Sequence, residues 1–280
     1  MGGGRLLGCC VAGLVSMGVP AVAGAAPVSG PHEVVETTFT TTMPGAPTGF
    51  HYTGRYHAAG DPSGDPPYMR RMTSYAAPGL RFDTSVPERC TASDLELALR
   101  GPDACPPGSR VGGGTAEGRF MGMPSTLQLD MFNNTNEQIM VARTPFVTTI
   151  SRGTIHPDQS VEFASPTCYP AFNPPGCPVD TAMQLGSDVT VDAITNGSRS
   201  YITTPPACPA SGHWETPIRF WWADGSVDTV VTQQPCERAK PPAAAKRPAA
   251  AKRRPRAKAR RARGRRGPSS WAPGRATPRR

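Results

Sequence analysis

Lysine is missing from the first 237 residues; the only four are Lys240, Lys246, Lys252 and Lys258. For residues 1–237 this excludes a P-loop, a lysine Schiff base, the Ser-x-x-Lys acylation motif and Lys–Asn isopeptide bonds. No Gly-x-Ser-x-Gly or His-Glu-x-x-His occurs, so neither a standard α/β-hydrolase nor a zincin is supported. Charge is sparse, at 18% of residues, and aromatics reach 7%. Beyond the N-terminal segment no apolar run approaches the roughly 18 residues of a spanning helix, so no transmembrane span is expected in the mature chain. In contrast, 33 Pro and 30 Gly punctuate the chain and exclude a long helical bundle.

Charge is divided unevenly. Of 30 Lys and Arg, 17 fall in residues 238–280, which hold no Asp or Glu, leaving 13 cationic against 21 acidic side chains in residues 1–237. The chain opens with Arg5, runs apolar from Leu6 to Val19, and reaches Pro20 and the small residues Ala21, Ala23 and Ala25. This predicts an export signal over residues 1–25, too short to span a bilayer once retained. Cys9 is unsuited to lipidation because the apolar stretch follows it.

Signal removal leaves Cys90, Cys105, Cys168, Cys177, Cys208 and Cys236. An even number in an exported chain favours disulfides, and the residues fall as three neighbouring pairs: 90 with 105, 168 with 177, 208 with 236. Zinc is the competing reading, but no pair has the short spacing of a zinc knuckle. No metal or cofactor is expected.

Residues 26–237 read as one disulfide-stapled β domain, an antiparallel sandwich or barrel, with two packed sub-sheets as the alternative. Strand-type segments are Glu33–Thr41, Phe50–His57, Tyr68–Tyr75, Ser125–Phe132, Gln138–Ala142, Phe146–Ser151, Ser160–Ala164, Asp188–Ile194 and Arg199–Thr203. Turn clusters such as Pro44-Gly45, Asn133-Asn134 and Asn196-Gly197 separate them. One short helix is expected where Ser93 and Glu96 form a capping box, followed by Leu97 and Leu99 and ended by Gly101-Pro102. A two-residue turn at Asp224-Gly225 predicts a last hairpin with Trp222 beside Val227, Phe220 beside Thr229 and Ile218 beside Val231. That register puts Cys236 opposite His213. It turns Arg219, Trp221, Asp228 and Val230 to solvent, so Trp221, Arg219 and Asp228 form a candidate ligand face, with a glycan as the ligand an exposed aromatic would suit.

Pro78-Gly79-Leu80-Arg81-Phe82-Asp83, Cys90-Thr91-Ala92-Ser93-Asp94-Leu95, Ala104-Cys105-Pro106-Pro107-Gly108-Ser109-Arg110-Val111-Gly112 and Cys208-Pro209-Ala210-Ser211-Gly212-His213-Trp214, with Ala223-Asp224-Gly225 and Pro235-Cys236, carry a resemblance. Together they resemble secreted proteins of high-GC actinobacteria to which no activity is assigned. The resemblance covers residues 78–236 and implies an exported β-rich domain, without catalytic residues to carry over.

Five histidines, His32, His51, His57, His156 and His213, are scattered. The even spacing of His51 and His57 could place them on one strand face as metal ligands, and His156, Asp158 and Ser151 supply triad residue types. Ordinary surface or half-buried histidines explain both sets as well, and no catalytic residue is assigned.

The tail, 238–280, repeats Lys-Pro-Pro-Ala-type units and ends Arg-rich, the composition of an extended disordered segment. Its cations Lys240, Lys246, Arg247, Lys252, Arg253, Arg254, Arg256, Lys258, Arg260, Arg261, Arg263, Arg265 and Arg266 are suited to anionic envelope polymers or lipid headgroups by counterion release. Sequence-specific nucleic-acid recognition is not expected, since Trp271 alone offers little stacking. The expectation is a non-enzymatic secreted or envelope-associated β domain of unknown ligand; a carbohydrate-binding module and a secreted hydrolase of unrecognised type are the alternatives.

Overall fold

A computed structural model describes residues 25–170 and 182–237. The expected signal, Cys177 and the basic tail lie outside the described residues. Strands β1 (Val28–Ser29), β2 (Glu33–Phe39), β3 (Phe50–Tyr56), β4 (Met69–Ser74) and β5 (Arg81–Phe82) precede the one α-helix among the described residues, α1 (Asp94–Arg100). Next come β6 (Arg110–Phe120), β7 (Met123–Asn134), β8 (Glu137–Arg143), β9 (Val147–Ile155), β10 (Val161–Ala164) and β11 (Thr167–Pro170). The chain continues through β12 (Ala182–Val191), β13 (Thr195–Asn196), β14 (Arg199–Ser200), β15 (Ile202–Thr203), β16 (His213–Trp222) and β17 (Val227–Pro235). One antiparallel sheet runs in the order β1-β2-β3-β12-β6-β7-β8-β9-β10-β4-β16-β17, with β11 added beside β9.

The sheet curls until β17 comes alongside β2, a nearly closed barrel. No backbone ladder joins those two strands. Instead His32 Nδ1 meets Asp228 Oδ2 at 2.6 Å, Phe39 N donates to Gln234 Oε1 at 3.2 Å, and Glu237 N donates to Thr42 O at 2.8 Å. The partners ascend together, so the two strands run parallel across the seam.

Strict alternation decides what each strand buries. Glu33, Val35, Thr37 and Phe39 of β2 face inward, as do Trp214, Thr216, Ile218, Phe220 and Trp222 of β16. β8 is different because it is covered on both sides. Gln138, Met140 and Ala142 face the interior, while Ile139 and Val141 join Phe132, Ile150 and Leu97 in a second cluster outside the barrel wall. That cluster is roofed by α1 and the Cys90–Cys105 disulfide. The predicted capping box is present: Glu96 N donates to Ser93 Oγ and Ser93 N donates back to Glu96 Oε2. Leu97 is buried, whereas Leu95 and Leu99, four residues apart and hence on one helix face, are exposed. Arg152 ties the helix to the wall by bonding Asp94, Glu137 and the Ala92 carbonyl.

Cys208 and Cys236 are joined as expected. Cys168 is buried in β11, and its expected partner Cys177 is outside the described residues.

Four expectations are corrected. The last hairpin is one residue out of the predicted register: Trp221 pairs with Val227, Phe220 with Asp228, Ile218 with Val230 and His213 with Pro235. Its loop holds three residues, Ala223, Asp224 and Gly225, with Gly225 at φ +89° and Asp224 accepting from Ser226 N and Oγ. That three-residue form is the next commonest hairpin connection, and the extra residue flips every β17 side chain to the other face. Secondly, β6 runs through Val111-Gly112-Gly113-Gly114, which glycine content disguised as loop. Thirdly, Asn133 and Asn134 end β7, and the turn falls at Thr135 and Asn136, with Asn136 at φ +51°. Finally, the Arg199–Thr203 segment divides into β14 and β15, which belong to two small separate sheets.

Candidate functional site

The barrel interior holds a cavity of about 230 Å³ that reaches the surface beside the exposed lining residues Glu117, Ala164 and Pro166. Its wall is largely apolar, contributed by alternate inward positions: Leu127, Leu129 and Met131 of β7, Met140 of β8, Phe163 of β10 and Ile218 of β16. Aromatic residues pack around it on two sides. Trp214 and Phe39 sit 6.1 Å apart between ring centres on one side. On the other, Tyr56, Phe220 and Trp222 make an edge-and-stack cluster. Tyr52 and Tyr56, both lining residues, bond through their hydroxyls at 2.9 Å, and burial holds both phenols above their ordinary range, so they stay neutral.

Polar side chains are a minority of the lining. Thr37 and Thr216 both line the cavity, and both hydroxyls are buried without a partner. Native interiors leave such groups unpaired only rarely. The two charged lining residues are Arg71 and Glu117. Arg71 is engaged elsewhere, at 3.6 Å from Glu162 and with its guanidinium 3.8 Å from the Trp221 ring centre. Glu117 is exposed at the barrel surface.

A second polar constellation lies at the seam. His32 (5% exposed), Glu33 (0%) and Asp228 (7%) are brought together where β2 and β17 meet. Asp228 Oδ2 receives Trp222 Nε1 at 2.8 Å as well as His32. Glu33 accepts from His32 N, while its Oε1 is buried without a partner. Burial, with the adjacent Asp228 charge acting in the same direction, pushes the Glu33 carboxyl up to about 7.

The candidate ligand face is not assembled as expected. Arg219 and Trp221 remain on the outer side, but Asp228 is buried on the inner face because of the register shift. Trp221 is half-buried, with Arg71 stacked on it and the Arg219 guanidinium 5.4 Å from the ring centre. The other histidines do not gather. His51 is exposed and bonds Asp188 at 2.8 Å, His57 follows the end of β3 and meets the Ala58 carbonyl, and His156 and His213 sit in a turn and at the start of β16.

Sequence reasoning missed both sites. The cavity residues read as ordinary core, since alternation shows which face is buried but not whether the space is filled. His32 was one of five scattered histidines, and the wrong hairpin register separated it from Asp228. A three-residue loop at Asp224 would have brought Asp228, Val230, Thr232 and Gln234 inward.

Compared with known proteins, the chain matches no family model, no curated protein and no solved structure. Among the described residues, no helix is long and apolar enough to cross a membrane.

Proposed function

We propose that this chain is a non-enzymatic, exported binding protein whose barrel interior takes one small, predominantly apolar, uncharged molecule. The cavity carries the reading. Protein interiors are normally close-packed, so a purely structural barrel would fill a space of about 230 Å³ with side chains. That volume is slightly below the roughly 300–1,000 Å³ of drug-sized sites, which favours a compact ligand. The neutrality follows from the lining, where the one cation is already paired and the one anion faces out. Thr37 and Thr216 offer hydroxyls to a single polar group on the ligand.

The test is titration of the full chain with a neutral apolar fluorophore such as N-phenyl-1-naphthylamine. Saturable binding of one probe per chain is expected, and Met140→Trp, which puts bulk into the cavity, should weaken it at least about 10-fold while the unfolding midpoint stays close to that of the parent. Equal binding by the parent and the folded Met140→Trp chain would overturn the reading.

Export is supported by the N-terminal apolar segment, the paired cysteines and the resemblance over residues 78–236. The tail belongs to the same proposal. With 17 cationic side chains and no acid, residues 238–280 are suited to hold the barrel at an anionic envelope polymer or headgroup surface without sequence reading. A phosphate-polymer or heparin column should retain the full chain and release residues 26–237 at low salt; co-elution of the two would remove the tethering role.

A further inference from the structure

We infer that His32, Glu33 and Asp228 form a binding site for one divalent transition-metal cation, with Zn²⁺ the best match to the donor set. The site is independent of the cavity. It is built from opposite ends of the domain: His32 and Glu33 enter β2, Asp228 enters β17, and the parallel seam brings them into register. One donor atom from each lies within 4.8 Å of the other two.

Three observations point to a cation. Two carboxylates and an imidazole share a pocket that excludes solvent, and burying anions is costly without compensating positive charge. A neutral imidazole, two carboxylates and a dication sum to zero. Next, Glu33 Oε1 is fully buried and receives no N–H or O–H donor; among the described residues the only side chain its carboxyl meets in hydrogen-bond reach is that of Asp228, another carboxyl, so the two acceptors face each other across the pocket. Finally, the flanking groups have the arrangement of an outer shell. Trp222 Nε1 fixes Asp228 by donating to it at 2.8 Å. Nδ1 is the nitrogen that faces Asp228 and so the one that would ligate, while Nε2 has Asp224 Oδ2 on its side at 3.9 Å, beyond direct hydrogen-bond reach.

One imidazole with two carboxylates is a donor set for first-row divalent ions, which bind such atoms at about 2.0–2.2 Å. Ligation needs the carboxylates ionised and Nδ1 free of its proton, so any proton the cluster shares is displaced to solvent as the ion binds. The His32 Nδ1–Asp228 Oδ2 contact must open from 2.6 Å to admit the ion between them. Three protein ligands leave the fourth position to a water molecule. Because β2 and β17 share no ladder, the ion would clamp the junction at which the described strands of the barrel meet without one.

The test uses the full chain after chelator treatment, titrated with Zn²⁺ and assayed by calorimetry and elemental analysis. One Zn²⁺ per chain and an upward shift of the unfolding temperature are expected. Glu33→Gln keeps the shape but should lower affinity more than about 100-fold, beyond the cost of losing an outer-shell partner. His51→Ala, at the exposed His51–Asp188 pair, should leave uptake unchanged. If Glu33→Gln fails to fold, the parent loaded with Co²⁺ settles the matter by X-ray absorption: a shell of one imidazole and carboxylate oxygens supports the site, and an oxygen-only shell overturns it. The tail contains no histidine, so it cannot supply the nitrogen. Absence of saturable uptake, or uptake equal in parent and folded Glu33→Gln chains, also overturns the assignment.

Discussion

Gly112→Ala is expected to destabilise the barrel severely. A Cβ on Gly112 would stand 2.1 Å from the Thr190 carbonyl oxygen and 2.9 Å from Val191 Cα. Both are backbone atoms of β12, held in the Gly112↔Val191 ladder, and Val191 is completely buried. Side chains can swing aside to relieve overpacking, which typically costs about 1–3 kcal/mol, but a ladder can move only by losing its hydrogen bonds. The penalty should therefore exceed about 3 kcal/mol, a large share of the roughly 5–15 kcal/mol that holds a domain together. Gly60→Ala is the comparison. Gly60 has φ +75° and no atom within 4 Å of a new Cβ, so it should cost only the roughly 1–2 kcal/mol of placing an L-residue in the left-handed region. Urea midpoints of the two variants decide the question. A Gly112→Ala midpoint at or above that of Gly60→Ala would mean that β6 and β12 are not packed as tightly as the backbone places them.

The same glycines explain why part of the architecture was hard to read in advance. Val-Gly-Gly-Gly-Thr has poor strand propensity and no alternation to detect, yet β6 occupies the middle of the sheet because its neighbours need the room its missing side chains leave. Segments rich in β-branched residues, such as Glu33-Val-Val-Glu-Thr-Thr-Phe39, were legible because strand-type composition is a local property. The capping box at Ser93 was legible for the same reason. Hairpin register is less local: one residue more in the Asp224 loop reversed the facing of Asp228 and Val230, and with it the identity of the outer face. Closure was invisible, since β2 and β17 lie almost two hundred positions apart and meet through side chains instead of a repeating ladder. The candidate sites inherit that difficulty. Each wall of the cavity is a readable strand face, but the void appears only once the strands are arranged in order around it.

Trp214→Ala should destabilise the domain by about 3–5 kcal/mol, the range for removing a buried large aromatic. Trp214 is 2% exposed and packs against Phe39, and its Nε1 donates to the Ala207 carbonyl at 2.8 Å. Ala207 immediately precedes Cys208, so the indole and the Cys208–Cys236 disulfide hold the same segment. Removing the disulfide by Cys208→Ser with Cys236→Ser should cost about 3–4 kcal/mol, since it closes 28 residues of chain. The combined variant is expected to lose about 1 kcal/mol less than the sum of the two separate losses. Once the staple is gone the 205–212 segment is partly freed, and the Trp214 hydrogen bond has less order left to enforce. Trp214→Phe separates the contributions: it retains most of the packing against Phe39 but leaves the Ala207 carbonyl without its donor. In the disulfide-free chain that substitution should cost less than in the parent, because a mobile carbonyl can find water. Thermal unfolding of the parent, the single and the combined variants closes the cycle, and strict additivity would show that the indole and the disulfide stabilise the strand end independently.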